Sequence, residues 1–227
     1  TFDRTVATGW GVADTGHAWH VAGSGTLSVT PGIASMVTDY HVRALIDMPS
    51  ADVDVLTSFR SNLGLGGSIG YVGVILRGSL STPDRYEVTY DSDGFVYVYR
   101  YIAGSGYTLV GSWSQGPEPI PGTWYTMRAQ ILGSVIRARV WADGDTEPDT
   151  WMASGVDRTL TSGYPGAWCE AWIFTAVECD FRTFQVTPLS TEVRQEFTVE
   201  PSAVNGVTRT VPAGSPVSLW TPAVYAL

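Results

Sequence analysis

The sequence predicts an all-β fold in which two antiparallel sheets pack face to face as a sandwich. Apolar and polar residues alternate with a period of two along most of the chain, and few stretches show helical periodicity. The 227 residues include 25 glycines and 13 prolines, which suits short strands joined by tight turns. Hydrophobic residues make up 44% of the chain, enough for one large core. Because amphipathic helices are not evident, the pattern excludes parallel α/β architectures.

Roughly ten to twelve strands are expected from this alternation and the turn residues between the runs. The clearest predicted strands, in chain order, are His41–Met48, Val53–Phe59, Tyr71–Arg77, Arg85–Tyr90, Phe95–Ile102, Trp124–Leu132, Val135–Trp141, Ala167–Phe174 and Val177–Val186.

Two hairpins are predicted from their turn residues. Asp91-Ser92-Asp93-Gly94 separates the strands ending at Tyr90 and beginning at Phe95, and its Asp-Gly end favours the positive φ angles of a tight turn. Gly133-Ser134 joins the strands on either side of it in the same way. Both hairpins are expected to lie within the sheets.

The residues after Pro188 form a separate predicted segment. We expect a sandwich over residues 1–188 and a short β-rich C-terminal arm over 189–227. Prolines at positions 201, 212, 216 and 222 remove the amide donors that interior strands need, so the arm must contain edge strands or extended chain. It has too few large apolar residues for its own core, and it should pack on the sandwich or on a neighbouring subunit. Trp220 is the predicted subunit contact, which would make a homo-oligomer.

The charge balance excludes two classes of partner. The formal net charge is −9 and the chain contains no lysine. Nucleic-acid binding depends on basic side chains that neutralise phosphates, and anionic membrane surfaces attract the same clusters. No apolar run approaches the roughly 20 residues of a membrane span, so membrane insertion is not expected.

The cysteines, Cys169 and Cys179, are too few for a disulfide framework. If the segment from Trp168 to Phe181 folds as a hairpin, their sulfurs could lie opposite each other. A disulfide therefore stays open, although two half-buried free thiols are favoured.

Several short motifs, in order, resemble the laminin-G-like, concanavalin-A-like jelly-roll domains of minor tail proteins of actinobacterial phages. They are Phe2-Asp3-Arg4, Gly9-Trp10-Gly11, Ala13-Asp14-Thr15-Gly16 with Trp19, Val74-Ile75-Leu76-Arg77 with Tyr86, Gly122-Thr123-Trp124-Tyr125, Val140-Trp141-Ala142-Asp143-Gly144 with Glu147-Pro148 and Trp151, Asp180-Phe181 with Phe184 and Val186, and the tail Ala213 to Trp220.

The resemblance implies a jelly-roll sandwich in a virion tail, exposed to the extracellular environment. It implies contact with a cell-surface glycan or with other tail proteins. The Asp that usually precedes the opening Phe is missing before Phe2, so we expect this segment to belong to a longer chain. Jelly-roll relatives often hold a structural calcium ion between the first and last strands, and by that resemblance Asp3 and Asp180 are the candidate ligands.

A predicted glycan-binding face lies on the outer side of the hairpin from Trp124 to Trp141. Guanidinium groups hydrogen-bond hydroxyls and carboxylates, and an indole stacks on the apolar side of a sugar ring. The outward residues of this hairpin are Arg128, Gln130, Arg137, Arg139 and Trp141. The alternative is that these arginines pair with carboxylates such as Glu87 and Asp91 and form an ordinary solvated face.

The strand Phe95–Ile102 carries a row of tyrosines that includes Tyr97 and Tyr99. This row is either a stacking platform continuous with Trp141 or part of the core, and the alternation leaves both open because Arg100 lies on the opposite side of the strand.

No catalytic constellation appears in the sequence. Jelly-roll glycosidases need two carboxylates at a fixed separation, and no E-x-D-x-E spacing occurs; Glu178 and Asp180 share a face but lack a third acid. The histidines His17, His20 and His41 have no G-x-S-x-G segment beside them. We therefore predict a non-catalytic carbohydrate- or receptor-binding module. A purely structural assembly domain and a jelly-roll glycoside hydrolase remain alternatives.

Overall fold

The structure is a computed structural model that describes residues 2–64, 67–172 and 175–189. These residues form fifteen β-strands and no helix. The strands are β1 (Trp19–Gly23), β2 (Thr26–Thr30), β3 (Ile33–Thr38), β4 (His41–Ile46), β5 (Val53–Ser61), β6 (Gly70–Gly78), β7 (Arg85–Asp91), β8 (Phe95–Ile102), β9 (Gly106–Leu109), β10 (Ser114–Gln115), β11 (Trp124–Leu132), β12 (Val135–Ala142), β13 (Ala153–Val156), β14 (Tyr164–Ala171) and β15 (Val177–Pro188).

The strands form two antiparallel sheets, as the sequence predicts. The eight-stranded sheet has the order β1-β4-β14-β6-β7-β8-β10, with β9 also pairing with β8. The seven-stranded sheet has the order β13-β12-β11-β5-β15-β3-β2. Each sheet contains neighbours that are distant in sequence, such as β4 and β14 or β5 and β15, as in a jelly-roll sandwich.

The core lies between the sheets because alternate residues of each central strand point inward. In the eight-stranded sheet, Val72, Val74 and Leu76 of β6 are fully buried. In the seven-stranded sheet, the inward residues of the predicted hairpin are fully buried too; they are Ala129, Ile131, Ile136, Ala138 and Val140. The predicted inward face of this hairpin is therefore confirmed.

Both predicted turns are present. Gly94 has a φ of +82° and Gly133 a φ of +58°, which are left-handed conformations that glycine adopts without steric penalty. The turn before Phe95 is reinforced by Asp91, whose Oδ1 accepts hydrogen bonds from the backbone amides of Asp93 and Phe95.

The strand bounds differ from the prediction mainly at short edge strands. The strands β1, β2, β3, β9, β10 and β13 are not among the clearest predicted ones, and each has six residues or fewer. The predicted strand Ala167–Phe174 instead covers Tyr164–Ala171, and the last strand extends to Pro188. The predicted C-terminal arm, including Trp220, lies outside the described residues except for Leu189.

The two cysteines are free thiols and are fully buried. They are not in one hairpin: Cys169 lies on β14 in the eight-stranded sheet and Cys179 on β15 in the seven-stranded sheet. They are close enough across the core for Cys169 to contribute to the raised pKa of the Cys179 thiol, after the larger effect of burial. In the described part of the chain, no helix has the length and apolar character needed to cross a bilayer.

Candidate functional site

The structure separates the residues of the predicted glycan face into two groups. Arg128, Gln130, Arg137, Arg139 and Trp141 lie on β11 and β12 in the seven-stranded sheet. Tyr97 and Tyr99 lie on β8 in the eight-stranded sheet. The two groups therefore occupy opposite outer surfaces of the sandwich and do not form one continuous platform.

Arg128 is held by two carboxylates. Its Nε donates to both oxygens of Asp54 at 3.0 and 2.9 Å, and its Nη1 lies 3.1 Å from Glu147 Oε1. These bonds raise the pKa of the Arg128 guanidinium. Gln130 Nε2 donates to the same Asp54 at 2.7 Å, so the donors in the middle of this face already have acceptors.

The other arginines of this face are also engaged. Arg137 Nε donates to Gln130 Oε1 at 2.9 Å, and Arg139 forms an ion pair with Glu147. Both guanidinium carbons lie over the ring of Trp151, at 4.4 and 4.2 Å from its centroid. The arrangement matches the alternative of a face whose arginines pair with carboxylates, but the partners are Asp54 and Glu147. The carboxylates named from the sequence, Glu87 and Asp91, are in the opposite sheet.

The tyrosine row on β8 faces outward. Val96 and Val98 are fully buried, whereas Phe95, Tyr97 and Tyr99, which alternate with them, are only partly buried. Arg100 lies on the valine side but near the end of the strand, where its guanidinium pairs with Asp157. Arg100 can therefore share the inward side of β8 with Val96 and Val98, because its charged group lies at the end of the strand, outside the core.

An aromatic row runs along this outer surface. The ring centroids of Tyr97 and Tyr99 are 5.7 Å apart, and Trp113 lies 5.2 Å from both Phe95 and Tyr97. Tyr99 is 6.1 Å from Tyr107. The row leads from the sheet edge towards the middle of the eight-stranded sheet.

The row ends at an aromatic groove on the outer surface of the eight-stranded sheet. The groove has a volume of about 240 Å³. Its lining residues are Tyr71, Glu87, Thr89, Tyr99, Tyr107, Trp168, Glu170 and Trp172.

Trp168 forms the floor of the groove because residue 73 is glycine. A Cβ at Gly73 would lie 1.8 Å from the carbonyl oxygen of Val88 and 2.9 Å from Trp168 Nε1. Without that Cβ, the indole lies against the sheet and donates from Nε1 to the Val88 oxygen at 3.3 Å. Tyr71 stacks beside it with centroids 6.3 Å apart.

A buried ion pair closes one side of the groove. Arg85 Nε donates to Glu87 Oε1 at 2.5 Å, and their side chains are only 4% and 1% exposed. Arg85 also lies 4.5 Å from the centroid of the Tyr101 ring and bonds the Tyr107 hydroxyl at 3.2 Å. These contacts fix Glu87 and Tyr107 relative to each other.

Long side chains span the strands beneath this groove. His41 Nε2 of β4 lies 3.6 Å from Glu87 Oε1 of β7. These strands are three positions apart in the sheet order, roughly 14 Å between backbones in a flat sheet. The two side chains therefore extend towards each other over the strands between them.

Two polar groups in the groove have no partner among the described residues. The Glu170 carboxyl makes no hydrogen bond or ion pair there, and Thr89 Oγ1 is buried without one. Burial, with a smaller contribution from nearby Glu87, raises the pKa of Glu170 to about 7. A buried polar atom without a partner is unfavourable, which applies to Thr89 Oγ1. The Glu170 carboxyl is only partly buried and is open to a hydrogen bond from a ligand.

The predicted calcium ligands do not come with a matching ligand set. Asp180 receives a hydrogen bond from Ser35 Oγ at 2.6 Å and an ion pair from Arg60 at 2.8 Å, so both oxygens are engaged by protein donors. Asp3 is exposed. In the described ranges, no group of three or more His, Cys, Asp or Glu side chains could hold a metal. Asp180 and its neighbours therefore do not fit a calcium site. Calcium binding by this protein stays a prediction that depends on the resemblance alone.

The groove was largely missed from the sequence. Tyr71, Tyr107, Trp168 and Glu170 are far apart in the chain, and only the sheet order brings them together. The available signal was β7, where Arg85, Glu87 and Thr89 alternate with apolar residues on a strand long enough to be central. Trp172 is 57% exposed at the groove edge.

No protein-family model matches the sequence, and no curated protein matches it. Solved structures share the fold. The carbohydrate-binding module CBM66 from Bacillus subtilis aligns with a TM-score of 0.60 and 14% identity, over 74% of this chain and 94% of that chain. The Ca²⁺-bound exoplasmic/lumenal domain of VIP36 aligns with a TM-score of 0.56 and 11% identity, over 80% and 88%. A native glycosidic hydrolase aligns with a TM-score of 0.55 and 11% identity, over 76% and 90%.

Proposed function

We propose that this protein is a non-catalytic carbohydrate-binding module whose ligand lies in the aromatic groove of the eight-stranded sheet. The observation that carries the proposal is the lining of the groove by the rings of Tyr71, Tyr99, Tyr107, Trp168 and Trp172 beside unpartnered polar groups. Aromatic faces pack against the apolar C–H faces of sugars, and carboxyl and hydroxyl groups bond their hydroxyls. The volume of about 240 Å³ is below the roughly 300–1,000 Å³ of drug-sized sites and suits a sugar unit.

The aromatic row extends this site along β8. From Tyr99 to Phe95 the strand rises by roughly 13 Å at about 3.3 Å per residue. Trp113 widens the row at its far end. A row of this length can support further rings of an extended glycan, so we expect chains of several sugars to bind more tightly than single sugars.

The proteins of similar fold support a carbohydrate ligand. One is a carbohydrate-binding module, and the VIP36 domain is also described in a Ca²⁺/Man₃GlcNAc-bound form. At these identities only the fold is shared, so the choice of ligand depends on the groove of this chain.

Binding without hydrolysis is favoured by the carboxylates. Glycosidases need two carboxylates flanking the scissile bond. Glu87 is already bound by Arg85 and contacted by His41, which leaves Glu170 as the unpartnered carboxyl among the groove residues described. If the protein releases reducing sugar from the glycans that it binds, and Glu170→Gln abolishes that release, then the protein is a glycoside hydrolase and not a binding module.

The resemblance to minor tail proteins supports a proposal for the biological setting. We propose that the module belongs to the tail of an actinobacterial phage, where the groove would contact a glycan of the host surface. If the C-terminal arm instead makes this an assembly domain, removing residues 190–227 should change the oligomeric state, measured by light scattering as the mass of the particle divided by the mass of the shortened chain. A pull-down with host cell walls tests the recognition role.

The test of the site compares two tryptophans on opposite sheets. Trp172→Ala removes an exposed ring of the groove, and Trp141→Ala removes a ring from the predicted arginine face. In isothermal titration with a glycan selected on an array, Trp172→Ala should weaken binding at least about tenfold, or ~1.4 kcal/mol. Trp141→Ala should leave it unchanged. If Trp141→Ala weakens binding and Trp172→Ala does not, the site lies on the seven-stranded sheet. If the folded protein binds no glycan, the proposal is refuted.

A further inference from the structure

We propose that the sugar bound in the groove carries an organic cation, a protonated amino or quaternary ammonium group, that lies against Glu170 among the aromatic rings. This inference rests on the proposed function and specifies the chemical class of the ligand.

The first argument is the geometry of the rings. Tyr71 is 6.3 Å from Trp168 and 5.9 Å from Trp172, centroid to centroid, and Tyr99 faces Tyr107 at 6.1 Å. Ammonium groups are attracted to the negative faces of such rings, and several rings around one space form the aromatic cages that hold quaternary ammonium ligands. A neutral sugar ring needs only one or two flat faces.

The second argument is the distribution of charge in the groove. The charge of Glu87 is balanced by Arg85 at 2.5 Å, and the Arg43 guanidinium is also electrostatically coupled to Glu87. Glu170 has no cation within ion-pair distance in the parts of the chain that the structure describes. Arg85 attracts the Glu170 carboxylate electrostatically and lowers its pKa, but it does not contact that carboxylate. A ligand cation would supply the direct counter-ion that an ionised carboxyl in a partly buried site otherwise lacks.

The third argument is the charge of the whole molecule. The net charge of −9 attracts cationic ligands and repels acidic glycans over distances of about a Debye length. The overall field and the local carboxyl therefore favour the same sign of ligand.

Two sources share this chemistry, an amino sugar that is not acetylated and a choline-type substituent. The experiment titrates the folded protein with glucosamine and choline as cationic probes and with N-acetylglucosamine as the neutral probe. Binding is followed by tryptophan fluorescence and by NMR chemical shifts of the groove residues. The variants are Glu170→Gln, Trp172→Ala and the matched control Glu178→Gln, which neutralises an exposed carboxyl on β15 of the other sheet.

At least one cationic probe should bind saturably with a millimolar dissociation constant. We expect N-acetylglucosamine to bind at least about tenfold more weakly than glucosamine if the cation is an amine, and choline to bind best if it is quaternary. Glu170→Gln and Trp172→Ala should each weaken the cation about tenfold, and Glu178→Gln should not. Binding of neither cation, or equal binding by wild type and Glu170→Gln, overturns this inference. The proposed function survives that result if neutral glycans still bind in a Trp172-dependent way.

Discussion

At the scale of single residues, Glu170 shows how burial without a partner changes a carboxyl. Its pKa rises from the ordinary 4.5 to about 7, first because of burial and then because of Glu87. A group whose pKa is higher in the folded state holds its proton more tightly there, so its stabilising contribution is full below about pH 4.5. That contribution is lost as the pH rises through 7. Wild-type protein is thus less stable at alkaline pH because the Glu170 carboxylate is only partly solvated.

Glu170→Gln should remove this pH dependence. The change in melting temperature caused by the substitution should be more positive at pH 8 than at pH 5, by about 2 to 4 °C. The expected difference is small because solvent reaches the Glu170 carboxyl. Differential scanning calorimetry at both pH values measures it. Glu178→Gln is the control, and an identical difference at the two pH values would mean that Glu170 titrates normally.

At the scale of elements, Arg77 ties the ends of several strands together. It is the one non-glycine residue with a positive φ, +48°, in the described ranges. Its guanidinium donates to the carbonyl oxygens of Ala51 and Leu160, both at 2.6 Å, to that of Gly133 at 2.7 Å, and to Asp52 at 3.0 Å. One buried side chain therefore joins the segments before β5, between β11 and β12, and before β14.

Arg77→Met should destabilise the protein strongly because it leaves three carbonyl oxygens without their donor and removes the cation from Asp52, which keeps only the hydrogen bond from the Gly133 amide. Breaking a buried pair in this way costs about 3–5 kcal/mol. Arg182→Met removes a surface ion pair with Asp143 and should cost at most about 1 kcal/mol. Urea unfolding gives both values. Equal losses of unfolding free energy in the two variants would show that the buried Arg77 contributes no more to stability than a surface arginine does.

At the scale of the whole molecule, the two cysteines mark the interface between the sheets. Cys169 and Cys179 belong to different sheets and meet in the core. Burial raises the pKa of the Cys179 thiol, which suppresses the reactive thiolate. Neither sulfur is accessible unless the sheets separate.

Both thiols should therefore resist Ellman's reagent in the native protein and react only on global unfolding. With enough reagent for labelling of the unfolded chain to outpace refolding, the labelling rate in low urea should equal the unfolding rate followed by tryptophan fluorescence. Cys169→Ala should halve the number of thiols without exposing Cys179. Rapid labelling of native protein would mean that the sheets open locally at this point.

The sequence alone determined the sandwich and most of its central strands. Alternation is a local property, so β5, β6, β8, β11 and β12 are recognised from their own residues. The Asp93-Gly94 and Gly133-Ser134 turns are equally local, because they depend on the φ angles that glycine permits. The inward face of the β11–β12 hairpin follows from the same period of two.

Only the tertiary structure decided where a ligand can bind. The strand order β4-β14-β6-β7 brings His41, Glu87, Trp168 and Glu170 together, and no spacing in the sequence encodes that neighbourhood. It also decided that the arginines of the β11–β12 face are paired, since their partner Asp54 lies on β5 and becomes adjacent only through strand pairing. The physical reason is that a strand's own pattern fixes which side faces the core, while the chemistry of its outer side depends on neighbours that are distant in the chain.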